Sequence, residues 1–84
     1  MATGWAAKPR REPYTNEGIR RVPCVRCGSP ARFQWQVCAD KNGFRALCIE
    51  CDVQLNRMVL EWARDPNATA KLAAYEARVL PCRP

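Results

Sequence analysis

The chain has 84 residues, a formal charge of +6, six cysteines and no histidine. A chain this short buries too little apolar surface to hold one domain securely without a covalent or metal staple, and the cysteines are the candidates for it. The missing histidine excludes Ser–His and Cys–His nucleophile pairs and any nuclease built on a histidine base.

The staple has two forms. Three disulfides would need an oxidising compartment, but Met1–Ala7 runs directly into Lys8-Pro9-Arg10-Arg11 with no apolar core of a signal peptide. The expectation is therefore reduced thiols in a cytoplasmic compartment. No stretch approaches the roughly 18 apolar residues of a membrane span.

Residues 1–22 read as a basic, partly flexible arm without a core of its own, carrying five basic residues, among them Arg10, Arg11, Arg20 and Arg21. Trp5, Tyr14 and Ile19 interrupt it. Such side chains either fold back onto the domain or serve as anchors for a partner. Residues 23–64 form the expected finger. Within it Phe33, Trp35 and Val37 alternate with Gln34 and Gln36, the period of a half-buried strand. Asp40-Lys41-Asn42-Gly43 supplies a turn, with positive φ expected at Asn42-Gly43, and Phe44–Leu47 returns as the second strand. Phe33, Trp35, Phe44 and Trp62 are the expected core beside the cysteines.

After Cys51 the period changes. Leu55, Met58, Val59 and Trp62 mark the apolar stripe of a helix ending near Arg64, with Asp52 in its first turn. Asp65-Pro66 then caps and starts a second helix, 65–80, with Leu72, Tyr75 and Val79 on its buried side; Pro81 opens a tail, 81–84.

Cys24-Val25-Arg26-Cys27 and Cys48-Ile49-Glu50-Cys51 give the spacing C-x2-C-x20-C-x2-C. Two residues between ligands let one turn place both sulfurs on a metal ion, and two such turns complete a tetrahedron. Gly28 supplies positive φ after Cys27, and the second pair opens a helix whose free N–H groups favour thiolate. Four thiolates leave no open coordination position, so the expected cofactor is one structural Zn²⁺. Such a site carries about −2 and lowers the net charge to about +4. Iron–sulfur ligation by the same residues is the alternative metal chemistry; a redox dithiol would call for a single C-x-x-C beside a βαβ unit, which is absent. Cys38 and Cys82 fall outside the ligand spacing, Cys38 as a small buried apolar residue and Cys82 as an exposed thiol.

The order C-x-x-C-G, hairpin, C-x-x-C at a helix start resembles the treble-clef zinc finger over about Pro23–Arg64. It implies a small zinc-stabilised α+β domain: treble-clef-like knuckle, hairpin and helix, followed by a second helix. The string Cys-x-x-Cys-Gly-Ser-Pro-Ala, with Gln34-Trp35, Cys38-Ala39-Asp40, Leu47-Cys48, Cys51-Asp52 and Leu55-Asn56, is also similar to small zinc-finger proteins encoded by bacteriophages and prophages. That resemblance implies a role in host takeover or defence evasion.

Catalysis is not expected: Glu50, Asp52 and Glu61 read as helix-terminal and surface charges, and no phosphate loop is present. The expected function is a protein-binding regulator, of the phage-type inhibitor class, with Trp5 or Tyr14 as anchor and a homodimer through the C-terminal helix as a further partner. The alternative is nucleic-acid binding through Arg10, Arg11, Arg20 and Arg21 of the arm, with Arg26, Arg32, Lys41 and Arg45 on knuckle and hairpin and Trp35 as a stacking surface. Mixed charges on the first helix, among them Arg57 and Glu61, speak against reading of a major groove.

Overall fold

A computed structural model of the chain describes residues 10–80. The chain divides into two compact units, the first ending at Cys51 and the second beginning at Asp52. Trp5, Cys82 and the 81–84 tail lie outside the described residues.

In the first unit, Thr15 starts a single 3-10 turn, Gly18–Arg21: its hydroxyl accepts from the Gly18 N–H at 2.9 Å and its carbonyl from Ile19 N–H at 3.0 Å. The turn aims Ile19 inward, where it is 4% exposed and packs with Ala31 and Ala46, with Tyr14 and Val22 around them. Of the two fates open to apolar residues in the arm, Tyr14 and Ile19 take the first: they fold back. The core they complete is built on two alanines, whose small side chains let the 10–22 segment approach the sheet closely.

That sheet is a two-stranded antiparallel hairpin, β1 (Phe33–Val37) and β2 (Gly43–Leu47). Its register pairs Phe33 with Leu47, Trp35 with Arg45 and Val37 with Gly43, which puts Gln34 and Ala46 on the opposite face. The face marked as polar by Gln34 and Gln36 is thus the one that delivers Ala46 to the core. Gln34 is consumed there: its amide donates to the Tyr14 carbonyl at 2.9 Å and its Oε1 accepts from the Tyr14 N–H at 2.8 Å. The expected aromatic core is corrected accordingly. Phe33 and Trp35 are only half-buried, because the covering segment lies on the other side of the hairpin, and Phe44, which shares the Gln36 face and pairs with Arg10, is half-buried as well.

The turn also differs in detail. Pairing of Val37 with Gly43 leaves five residues to connect the strands, and the left-handed positions fall at Lys41 (φ 56°) and Asn42 (φ 60°), with Gly43 already in β2. Asp40 accepts an ion pair from Arg45 across this connection.

Helix α1 (Ile49–Trp62) starts between Cys48 and Cys51. Its expected inward stripe is turned outward: Met58 is 60% exposed, Val59 43% and Trp62 86%, with Leu55 half-buried. The buried positions of α1 are Ile49, Cys51, Asp52 and Val53, all in its first turns. In the second unit, helix α2 (Ala68–Val79) is tied to that other side through a hydrogen bond from Tyr75 to Asp52 and an Arg57–Glu76 ion pair at 3.8 Å. Trp62 therefore leaves the expected core. Leu72, Tyr75 and Val79 do form the less exposed side of α2, each half-buried.

The end of α1 is a Schellman turn. Asp65 N–H bonds the Leu60 carbonyl at 3.1 Å and Arg64 N–H the Glu61 carbonyl at 3.0 Å, with Arg64 left-handed at φ 58°. Pro66 stays outside α2, which begins at Ala68; Asp65 bridges the gap by accepting from Asn67 N–H at 2.8 Å and Lys71 Nζ at 2.5 Å. No helix among the described residues is long and apolar enough to cross a membrane.

Candidate metal centre

Each half of the site is a short backbone device. In the first, Gly28 N–H bonds the Cys24 carbonyl at 2.9 Å and Cys24 N–H bonds the Ser29 carbonyl at 2.6 Å, closing a tight loop around Val25-Arg26-Cys27. Gly28 has φ 84°, and a Cβ built there would meet nothing within 4 Å. Glycine is thus demanded by backbone conformation, not by space. Val25 N–H reaches the Ala46 carbonyl and Arg32 N–H the Leu47 carbonyl, both at 2.9 Å, so the loop is laced to the strand that leads into Cys48. The second half is the first turn of α1.

These devices bring four sulfurs together. The Sγ atoms of Cys24, Cys27, Cys48 and Cys51 all lie within 4.8 Å of one another, and those of Cys27 and Cys48 are 3.5 Å apart. A tetrahedral ion with metal–sulfur bonds of about 2.3 Å needs sulfurs about 3.8 Å apart. The cluster therefore has the size and donor set to hold a metal ion, compatibly with zinc. Arg26 N–H points at Cys24 Sγ (3.4 Å) and Cys51 N–H at Cys48 Sγ (3.5 Å), donors that spread thiolate charge into the backbone.

The four thiols differ in their electrostatic surroundings. The Ser29 hydroxyl, followed by its backbone, draws the Cys27 thiol down to about 6. Burial works to raise Cys24, but backbone groups of Cys48, Cys27 and Arg26 outweigh it and hold that thiol below its ordinary value. Burial pushes Cys48 up, and pushes Cys51 up to about 12, with the neighbouring Cys48 sulfur adding to it. Two thiols are disposed to ionise and two resist, and a cation at their centre would favour the thiolate form of all four.

The remaining sequence candidates are dispersed. Arg10, Arg11, Arg20, Arg21 and Arg26 are exposed on the first unit, with the Arg10 guanidinium 4.8 Å from the centre of the Tyr14 ring. Tyr14 is half-buried against the core and Arg45 is engaged by Asp40. Cys38, expected to be buried, is exposed in the hairpin connection, because the strands pair only as far as Val37. Asp52 is 3% exposed and bound to Tyr75 and Asn56, remote in role from any carboxylate pair. Ser29 was not singled out in the sequence; its only signal was its place directly after Cys27-Gly28. In comparisons with known proteins, no family model, no curated protein and no solved structure matches the chain.

Proposed function

We propose that the protein is a non-enzymatic docking module, in which one Zn²⁺ held by Cys24, Cys27, Cys48 and Cys51 stabilises a treble-clef-like finger and the outward face of α1 binds another protein. The observation that carries this reading is the exposure of Met58, Val59 and Trp62 on neighbouring turns of one helix. Single exposed apolar side chains are ordinary, but a contiguous group with a tryptophan at its end has the composition of an interface centre. The resemblance to bacteriophage zinc-finger proteins directs the search for partners to host complexes. The test is capture from cell lysate with the zinc-loaded protein, with and without nuclease, beside a Trp62→Glu variant. Proteins that survive nuclease and are lost with Trp62→Glu support the reading; capture indifferent to Trp62 overturns it.

A second reading has its own observation: Arg10, Arg11, Arg20, Arg21 and Arg26 are all exposed on the first unit, and exposed cations are the groups that meet phosphates. Nuclease-sensitive capture, weakened by salt and by Arg20→Ala/Arg21→Ala, would favour a nucleic-acid partner.

A further inference from the structure

We propose that Cys27 is an oxidation site, at which hydrogen peroxide joins Cys27 to Cys48 in a disulfide and so releases the metal. The inference rests on the metal part of the reading above and assigns unequal roles to the four sulfurs.

Exposure separates them. Cys24, Cys48 and Cys51 are buried, the most open of the three being 8% exposed, whereas Cys27 lies on the surface. A peroxide in solution therefore meets one sulfur of the cluster first, since oxidation follows thiolate character and access. The difference has a local cause. Cys24 sits at the base of the loop that its own N–H closes on the Ser29 carbonyl, and Cys48 and Cys51 bracket the buried Ile49 at the start of α1. Cys27 stands at the outer end of that loop, beside Gly28, where an added Cβ would meet nothing within 4 Å.

Geometry selects the second sulfur. Cys48 Sγ lies 3.5 Å from Cys27 Sγ, inside the roughly 3.8 Å that separates sulfurs on a tetrahedral ion. A disulfide of about 2.05 Å needs the pair to close by about 1.5 Å more. The empty space beside Gly28 lets the loop supply that movement while α1 stays in place.

The chemistry balances in two steps. The Cys27 thiolate attacks one peroxide oxygen; the O–O bond breaks, a sulfenic acid forms, and the departing hydroxide takes up a proton to leave as water. The Cys48 thiolate then attacks Cys27 Sγ; the S–O bond breaks, the S–S bond forms, and the second hydroxide is protonated in the same way. Each sulfur has given up one electron and the peroxide has gained both. Two thiolate donors remain where a closed site needs four, so the metal is lost.

The choice of pair matters to the fold. A Cys24–Cys27 or Cys48–Cys51 bridge stays within one C-x-x-C and leaves loop and helix unjoined. A Cys27–Cys48 bridge ties the loop to the start of α1, the two elements that the four sulfurs bring together. The oxidised chain thus gives up its ion and keeps that junction, and a thiol reductant returns the site to its metal-binding form.

The experiment titrates the full zinc-loaded chain with hydrogen peroxide. Released zinc is followed with a chromogenic chelator, free thiols by alkylation, and bridge positions by peptide mass spectrometry. The expected result is loss of the bound zinc in step with loss of two cluster thiols, Cys27–Cys48 as the first bridge formed, and recovery of zinc binding after reduction. Cys38→Ser, which removes the other exposed thiol among the described residues, releases zinc at an unchanged rate. A first bridge between any other pair, zinc retained after Cys27 is oxidised, or release slowed in Cys38→Ser overturns the proposal, and none of these measurements alters a ligand. A chain that takes up no zinc fails the metal reading itself; a chain that binds zinc in full and loses it through another pair fails this inference alone.

Discussion

The Tyr75 hydroxyl donates a hydrogen bond to the Oδ2 of Asp52, a carboxylate 3% exposed and one residue beyond the last metal-ligand candidate, Cys51. Asn56 shares the same oxygen at 3.3 Å and also donates to the Asp52 carbonyl at 2.8 Å. Through this contact α2 is fastened near the start of α1. A buried carboxylate that loses one of its donors loses part of what offsets its desolvation.

Tyr75→Phe is therefore expected to destabilise the protein by about 1–3 kcal/mol, read from urea unfolding at neutral pH. The effect has a pH signature. Burial, reinforced by the Asp52 hydrogen bond and charge, raises the Tyr75 pKa above its ordinary value. A raised pKa means that the folded state holds the proton more firmly than the unfolded chain. The advantage of wild type over Tyr75→Phe should then be fully present below about pH 10 and decline as pH rises beyond it.

The metal site makes a sharper demand. Binding free energy of a four-thiolate zinc site, on the order of 10 kcal/mol, doubles as folding free energy. Cys48→Ser or a strong chelator should unfold at least the first unit, while Cys38→Ser, which removes an exposed thiol outside the cluster, should leave the fold and metal content unchanged. Metal analysis should find one zinc per chain. A fully folded Cys48→Ser protein would remove the structural role.

Two positions with positive φ predict opposite outcomes. Gly28 at φ 84° is suited to its place, so Gly28→Ala should cost about 1 kcal/mol by strain alone, since the added Cβ meets no atom. Arg64 holds the left-handed position of the Schellman turn at φ 58° with a side chain that disfavours it. Arg64→Gly should raise stability by roughly 0.5–1 kcal/mol. Thermal unfolding of the two variants beside wild type checks both signs.

What the sequence determined by itself was whatever depends on near neighbours along the chain. The paired C-x-x-C spacing, Gly28 after Cys27, the hairpin and the two helices were all legible, because each arises from backbone conformation within a few residues, and the four sulfurs do converge. Tertiary structure decided which faces are covered. Alternation in β1 marks two faces but not which one receives Ile19, and the answer was the face of Gln34, whose amide finds partners on Tyr14. Likewise the stripe Leu55-Met58-Val59-Trp62 is a real helical period, yet the side of α1 that becomes buried is the one to which Tyr75 and Glu76 can be bonded. Periodicity is a one-dimensional property that shows that an element has sides. Which side loses its water depends on residues distant in sequence, and Trp62 is left 86% exposed.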